Sequence, residues 1–257
     1  MVTFHFFWSM LEDKKQGSSD HMDRIDLIEQ FIKYFGKDRI ECIIGDSEFI
    51  GKNWIEWLKE EKIEYVMCLR GSQNIANSKG GNAKGRDLFR ELKPGTFLNL
   101  GERKINRDES YSAYIVGIRT KDGELIIIAC SANIKNGSTI YKLRWGIETL
   151  FKSLKTGGFH LEDTHIVNPD RLEILLSVVA IAYTIVSKVG GNILKVTNVK
   201  LKNHGYKAKS TIKIGIDFII SLLNNFSKKF YIVVTLIKKS LAQCMRNSNQ
   251  LSQEFVL

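Results

Sequence analysis

Two short apolar runs with an amphipathic segment between them constrain the fold of this 257-residue chain more than any other feature. The runs are RIECIIGD at 39–46 and IEYVMCLR at 63–70, and GKNWIEWLKEEK at 51–62 separates them. Runs of this length predict buried strands, and the spacing of apolar residues between them predicts a helix. A predicted strand at 2–11 and a predicted helix at 21–35 come first. The order indicates an α/β layer in which Asp46 ends a buried strand.

The character of the chain changes after residue 70. Residues 71–85 are rich in Gly, Asn and Lys and indicate a flexible loop. TFLNLGERKI, SYSAYIVGIR and ELIIIACS then alternate like antiparallel strands, and TKDGE predicts a hairpin turn. Helices are predicted at about 138–156, at 171–189 and twice within 212–245. The apolar stretch 174–186 is shorter than the roughly 20 residues that span a bilayer, which favours a buried core helix and no membrane partner.

Charge is unevenly distributed along the chain. Residues 195–257 hold 11 Lys and Arg against Asp217 and Glu254, a net +9, whereas the other residues contribute only +1 of the total of +10. A basic segment on a near-neutral body predicts a polyanionic partner, of which nucleic acid is the commonest. A lysine-rich surface that only keeps the protein soluble is the alternative. The 27 lysines and 11 arginines favour contact with phosphates over base reading.

Cysteine usage favours a reduced, cytoplasmic protein. The four cysteines are far apart in sequence, and neither CxxC pairs nor histidines at ligand spacing occur with them. We therefore predict no disulfide and no zinc site.

The helix predicted at 138–156 carries a mixed polar row. With about 100° of rotation per residue, Tyr141, Arg144, Glu148 and Lys155 share one narrow stripe. Such a stripe can be a solvated face with an Arg144–Glu148 pair. It can also be part of a site if a partner lies elsewhere in the chain.

Asp46 is the candidate partner of this stripe, because α/β folds place their sites at the carboxyl ends of strands. Carboxylates from different elements, here Asp46 and Glu148, can converge on two Mg²⁺ ions that activate water at a phosphodiester. Tyr141, Arg144 and Lys155 would then meet the DNA backbone. The alternative for Asp46 is a turn residue or an N-cap of the following helix. Glu48 is a nearby alternative carboxylate.

These residues lie in segments that resemble a known family. IIGDSEFIG at 43–51 is similar to the GDREF segment of insertion-sequence transposases of the DDE superfamily, with Ser47 where the family usually has arginine. The pattern Y-x2-R-x3-E-x6-K at 141–155 resembles the YREK signature of their type-four branch. GFHLEDTHI at 158–166 and HGYKAKSTIKIGID at 204–217 are similar to the segments that follow it. The resemblance runs from about residue 2 to 220.

The resemblance implies an RNase H-like catalytic core, incomplete at its N-terminus, with a β-rich insertion and a helical basic C-terminal part. The expected divisions are a partial core at 1–70, the insertion at 71–135, the glutamate helix and a core-closing helix at 136–190, and the basic part at 191–257. The implied activity is metal-dependent cleavage and strand transfer at the ends of insertion-sequence DNA. By the resemblance, Asp46 and Glu148 bind Mg²⁺, with Mn²⁺ as a substitute, and Tyr141, Arg144 and Lys155 position double-stranded DNA.

The resemblance also implies a third carboxylate, on the opening strand of the core. This chain begins at what resembles the third strand, and Asp13 is the upstream candidate with a suitable position. We therefore expect an N-terminally truncated transposase with impaired catalysis and an exposed sheet edge. The alternatives are a non-enzymatic DNA-binding remnant and, more remotely, an RNA-associated basic protein. The expected location is the cytoplasm, at the nucleoid, with pairs of copies acting on DNA.

Overall fold

The computed structural model describes residues 7–9, 19–107, 110–132, 134, 137–155, 158–197, 209–224, 231, 234–235, 238–239 and 253–256. The chain forms two compact units, a sheet unit of residues 11–147 and 252–257 and a helical unit of residues 1–10 and 148–251. The strand predicted at 2–11 lies mostly outside the described residues, and 7–9 belong to no regular element. Asp13 and most of the second helix predicted within 212–245 also lie outside them.

The sheet unit begins with the predicted helix–strand–helix–strand order. Asp20 caps the first helix, because its carboxylate accepts the N–H groups of Met22 at 2.7 Å and Asp23 at 3.0 Å. β1 and β2 pair in parallel, with Ile44 opposite Val66. The predicted order is therefore confirmed. The elements are α1 at His21–Phe35, β1 at Ile40–Gly45, α2 at Lys52–Glu60 and β2 at Tyr65–Leu69.

The β-rich segment extends the same sheet. β7 pairs antiparallel with β2, and the strand order across the sheet is β4-β3-β5-β6-β7-β2-β1-β8. The segment is thus continuous with the α/β layer, while the domain boundaries predicted from the sequence stay predictions. The remaining strands are β3 at Asn74–Ala76, β4 at Asn82–Lys84, β5 at Phe97–Ile105, β6 at Tyr111–Arg119, β7 at Leu125–Cys130 and β8 at Gln253–Val256.

The prediction of a flexible loop at 71–85 is wrong in part. β3 and β4 form a small hairpin there, whose turn is closed by Asn77: its side-chain oxygen accepts the N–H groups of Lys79 and Gly81. Ile75 of β3 is fully buried and anchors the hairpin to the core. One buried apolar side chain and a local amide turn outweigh the loop-like composition. The short helix α3, Gly85–Leu88, follows.

Strand β8 corrects the prediction of a purely helical C-terminal part. It pairs in parallel with β1, with Phe255 opposite Ile43 and Val256 opposite Ile44. The expectation of an exposed edge at β1 is therefore wrong in this structure, since β8 covers that edge.

Apolar side chains cover both faces of the sheet. Ile43 and Met67 point to the face that α1 and α2 cover, where Trp54 is fully buried. Cys42 and Ile44 point to the opposite face, as neighbouring residues of a strand must. That second face packs against Tyr141 and the residues around it.

The helix predicted at 138–156 is interrupted. α4 covers Gly137–Tyr141, a 3₁₀ turn covers Lys142–Arg144, and α5 covers Trp145–Lys155. A 3₁₀ helix rotates about 120° per residue. The prediction of one regular helix at 138–156 is therefore wrong, and so is the single stripe that it implied for Tyr141, Arg144, Glu148 and Lys155. Packing of Tyr141 and Leu143 on the sheet accounts for the break, because it fixes this turn independently of α5.

In the helical unit, α6 spans Pro169–Val196 and α7 spans Thr211–Asn224. α6 is longer than predicted because Asn168 caps it and proline opens its first turn. It is buried along one side only: Tyr183 is 1% exposed, whereas Ile174 and Val178 are 66% and 58% exposed. α6 is also long and apolar enough to cross a membrane by length and composition alone.

Candidate active site

Asp46 follows β1 directly and begins a tight turn. Its carbonyl accepts the N–H of Phe49 at 3.0 Å, and its carboxylate Oδ1 accepts the N–H of Ser47 at 2.7 Å. Asp46 does not cap α2, whose N-cap is Gly51 without a side-chain hydrogen bond. The turn interpretation is confirmed and the N-cap interpretation is wrong. The carboxylate remains partly exposed, at 45%.

Arg24 of α1 supports this turn from the other side. Its Nη2 donates to the carbonyl of Glu48 at 3.3 Å, and its guanidinium lies 4.9 Å from the centroid of the Phe49 ring. The side chain is only 7% exposed. Glu48, the alternative carboxylate, is exposed, and Arg24 contacts its backbone carbonyl. The turn that presents Asp46 is thus attached to the core.

Arg144 forms an ion pair with Asp46 within the sheet unit. Its Nη1 donates to Asp46 Oδ2 at 3.3 Å, and its side chain is 16% exposed. The contact brings one residue of the predicted stripe to Asp46, while the predicted roles of Arg144 and Asp46 stay predictions. A guanidinium that shields a partly exposed carboxylate in this way gives a stronger pair than two exposed side chains do.

Tyr141 lies beneath Arg144. The guanidinium is 5.4 Å from the centroid of the tyrosine ring, within the range of a cation–π contact. The side chain of Tyr141 is only 6% exposed and packs in the cluster on the second face of the sheet, against which Cys68 also packs. Burial is the main cause that raises the pKa of this phenol, and the nearby Cys68 thiol adds to the rise. The expected contact of Tyr141 with DNA stays a prediction, and the described structure shows this residue as a support of Arg144.

Cys68 is the residue that sequence reasoning missed. It lies on β2, and its side chain packs on the face of the sheet that holds Tyr141. A signal was available in the sequence, because β1 and β2 are parallel neighbours and their carboxyl ends share one edge. Burial raises the pKa of the Cys68 thiol, which therefore stays protonated near neutral pH.

Glu148 and Lys155 belong to the helical unit. Glu148 lies in the first turn of α5 and Lys155 is the last residue of that helix, and both are exposed. Asp46 and Glu148 are therefore carried by different units. Their joint role at one site stays a prediction.

A divalent cation needs several oxygen ligands. In the described ranges, no group of three or more His, Cys, Asp or Glu residues could hold a metal ion. Asp46 has the right chemistry for Mg²⁺, but its carboxylate already contacts a guanidinium. One or two carboxylates with water and phosphate oxygens are enough for Mg²⁺, so Asp46 fits as one ligand of such an ion once Arg144 no longer occupies its carboxylate.

Comparison with known families gives the wider context of this site. A family model described as a transposase DDE domain matches residues 4–185. The chain belongs to the DDE transposase domain family. None of the curated proteins compared with the chain matches it.

Membership of this family gives the general activity of the chain. A DDE transposase domain indicates DNA binding, DNA cleavage and transposition, and the family generally uses a divalent metal. It also indicates a soluble DNA-acting protein, and the apolar helix α6 does not decide otherwise. The mixed α/β sheet described above is consistent with this domain.

Proposed function

We propose that this transposase domain acts on insertion-sequence ends, where it hydrolyses phosphodiester bonds and transfers strands in the manner of the YREK branch. The observation that carries the proposal is the contact between Arg144 Nη1 and Asp46 Oδ2 at 3.3 Å. It joins the turn of the GDSEF segment to the arginine of the YREK pattern, which are 98 residues apart in sequence. Two motifs that the resemblance links by function alone are thus in direct contact.

The proposed roles divide between acidic and basic residues. Asp46 and Glu148 are the proposed ligands of Mg²⁺, with Mn²⁺ as a substitute, and the full site would hold two ions. When bound, the metal would supply Lewis-acid chemistry at phosphorus. Arg144 and Lys155 would contact DNA phosphates, because cationic donors fit phosphate oxygens.

The remaining parts of the proposal concern fold, location and assembly. The parallel strands β1 and β2, which α2 connects along the chain, support an RNase H-like core. The net charge of +10 supports a location at the nucleoid in the cytoplasm. The resemblance to insertion-sequence transposases supports two copies acting together on DNA.

A second candidate function is a DNA-binding remnant that does not cut. Two observations favour it: the described residues contain no group of three metal ligands, and Arg144 already neutralises Asp46. Of the three carboxylates that the resemblance implies, two have been assigned. A site with a missing ligand would bind metal weakly and would retain little activity.

The DNA-binding proposal predicts opposite effects from the two partners of the ion pair. Arg144→Ala removes a phosphate contact, so we expect weaker binding to a DNA duplex and a salt dependence flatter by about 0.9 in slope. Asp46→Asn removes a competing anion and releases the guanidinium, so we expect unchanged or tighter binding. Fluorescence anisotropy over a salt series measures both.

The matched control is Arg90→Ala, which removes an exposed arginine of the sheet unit that pairs with Asp87. It should leave the salt slope within error of the parent chain. If Arg144→Ala and Asp46→Asn weaken binding equally, the ion pair only stabilises the fold and the proposed contact with DNA is wrong.

Cutting distinguishes the two candidate functions. Nicking of DNA ends in Mg²⁺ or Mn²⁺ that Glu148→Ala abolishes, with binding retained, supports the enzyme. Binding without nicking by the parent chain at every metal concentration supports the remnant. Equal loss of nicking and binding in Glu148→Ala would contradict the role of Glu148 as a metal ligand.

A further inference from the structure

A buried charge lies beside the turn that presents Asp46. Among the residues that the structure describes, Arg24 of α1 is the only charged residue that is buried, at 7% exposed. Burying a charge costs free energy unless hydrogen bonds compensate for it. A guanidinium stays charged at neutral pH, so the groups that contact Arg24 indicate the role of this side chain.

The guanidinium of Arg24 connects two separate stretches of the chain. Its Nε donates to the hydroxyl of Ser19 at 3.2 Å, and its Nη2 donates to the carbonyl of Ser19, just before α1. The same Nη2 reaches the carbonyl of Glu48 at 3.3 Å. The guanidinium carbon lies 4.9 Å from the centroid of the Phe49 ring, within the range of a cation–π contact. Arg24 thereby joins the start of α1 to the turn after β1.

This turn has four residues, of which Asp46 is the first. The carbonyl of Asp46 accepts the N–H of Phe49 at 3.0 Å, so Ser47 and Glu48 are the central residues of a β-turn. The Asp46 carboxylate holds the first half of the turn, because its Oδ1 accepts the N–H of Ser47 at 2.7 Å. Arg24 holds the second half, through the Glu48 carbonyl and the Phe49 ring.

We infer that Arg24 is a positioning residue of the candidate site, which fixes the turn at 46–49 and through it the direction of the Asp46 carboxylate. The other oxygen of that carboxylate, Oδ2, accepts from Arg144 Nη1 at 3.3 Å. The inference rests on the proposed function for its effect on DNA cleavage, and on geometry alone for its effect on the turn. It adds to the site a residue of α1, a helix that carries no part of either motif.

The test compares Arg24→Lys with Arg119→Lys in the full chain. Lysine keeps the charge but lacks the planar fork and the stacking face of a guanidinium. Arg119 is the matched control, because its Nη1 and Nη2 donate to the carbonyls of Gly123 at 3.0 Å and Phe89 at 3.1 Å, beside the turn between β6 and β7. Both substitutions release backbone carbonyls next to a turn, but only one of these turns carries Asp46.

Hydrogen exchange at the amides of Ser47 and Phe49 reports the turn without DNA or metal, since Asp46 accepts both N–H groups. We expect Arg24→Lys to speed exchange at both amides roughly tenfold, the net contribution of about one hydrogen bond. It should also shift the NMR signals of the Arg144 side chain. Arg119→Lys should lower the urea midpoint of unfolding and leave these amides and signals as in the parent chain.

Ser19→Ala is the second variant, and it decides if Arg24→Lys does not fold. It removes the hydroxyl that Arg24 Nε contacts and changes only a partly exposed side chain. We expect exchange at Ser47 and Phe49 to rise in the same direction, roughly two- to threefold, because the carbonyl contacts of Arg24 remain.

Unchanged exchange at Ser47 and Phe49 in the folded variants would overturn the inference. Equal acceleration in Arg24→Lys and Arg119→Lys would also overturn it, since the effect would then follow global stability. With Mg²⁺, nicking of DNA ends should fall roughly tenfold in Arg24→Lys while duplex binding is retained. Parent-like nicking despite faster exchange would overturn the link to the site. If the parent chain does not nick, the proposed cleavage fails, and exchange at the two amides still decides the role of Arg24.

Discussion

Gly45 is the residue that lets β1 end beside the core and present Asp46. A Cβ added at this position would lie 2.5 Å from the Sδ of Met67 and 3.1 Å from the Cβ of Phe49. Met67 is fully buried, so its side chain has little room to move away. The close approach of strand and turn at Gly45 therefore sets where the Asp46 carboxylate lies.

Gly45→Ala tests this close approach. We expect the free energy of unfolding to fall by about 1–3 kcal/mol, as overpacking in a tight core does. Met67→Ala alone should cost about 2–5 kcal/mol, and the double variant less than the sum, because removing the sulfur makes room for the new methyl group. Urea denaturation of the four chains gives the coupling energy.

Gly51→Ala is the control for that cycle, since nothing lies within 4 Å of a Cβ at this position. Its expected cost is below about 1 kcal/mol, because glycine is a better N-cap than alanine. Additive effects of Gly45→Ala and Met67→Ala would show that the two residues do not compete for space.

At the scale of elements, two glycines let α6 and α7 cross at close range. A Cβ on Gly190 would lie 2.0 Å from the carbonyl oxygen of Thr211, and one on Gly215 would lie 2.1 Å from that of Val186. Each glycine thus faces the backbone of the other helix. Backbone carbonyls cannot rotate away as a flexible side chain can, so neither position has room for a side chain.

Gly190→Ala should therefore force the two helices apart. We expect faster hydrogen exchange at the amides of α7, equivalent to about 1–3 kcal/mol of lost local stability. Gly191→Ala is the control, because nothing lies within 4 Å of its Cβ. It should slow exchange slightly, since alanine favours a helix interior by about 0.5–1 kcal/mol over glycine. Equal effects of the two substitutions would contradict the close crossing.

Strong local patterns made several elements predictable from the sequence. α1, β1, α2 and β2 begin and end within two residues of their predicted bounds, because each has a clear apolar period bounded by polar or glycine residues. The placement of Asp46 at the end of a buried strand followed from the same pattern.

Features that depend on tertiary contacts could not be predicted. The 3₁₀ turn before α5 and the packing of Tyr141 on the sheet arise where β2 and α4 meet, and no local spacing encodes that meeting. The burial of Tyr141 has the same origin. Helical periodicity alone put it on a polar stripe, while packing on the sheet decides its environment.

At the scale of the whole molecule, a strand from a distant part of the chain, β8, forms one edge of the sheet. β8 pairs with β1, whose residues Cys42, Ile43 and Ile44 are almost fully buried. The N–H of Ile43 bonds to the carbonyl of Glu64, which lies on the β2 side. Because neighbouring N–H groups point to opposite sides of a strand, the N–H of Ile44 points to β8.

Replacing residues 253–256 with a Gly-Ser segment of equal length should uncover this edge. We expect faster hydrogen exchange at Ile44 but not at Ile43, and association that grows with concentration in sedimentation experiments. The amides of β4, at the other edge of the sheet, serve as an internal control. Unchanged protection of the Ile44 amide would show that β8 does not pair stably with β1.

The distance in sequence between β1 and β8 also matters while the protein is being made. β1 ends at Gly45 and β8 begins at Gln253. At about 5–20 residues per second, a ribosome needs roughly 10–40 s to add the intervening chain. Throughout that interval β2 can pair with one edge of β1, but β8, which pairs with the other edge, does not yet exist. Nascent copies on neighbouring ribosomes of one messenger RNA therefore expose the same unpaired strand edge at the same time, which favours association between them during synthesis.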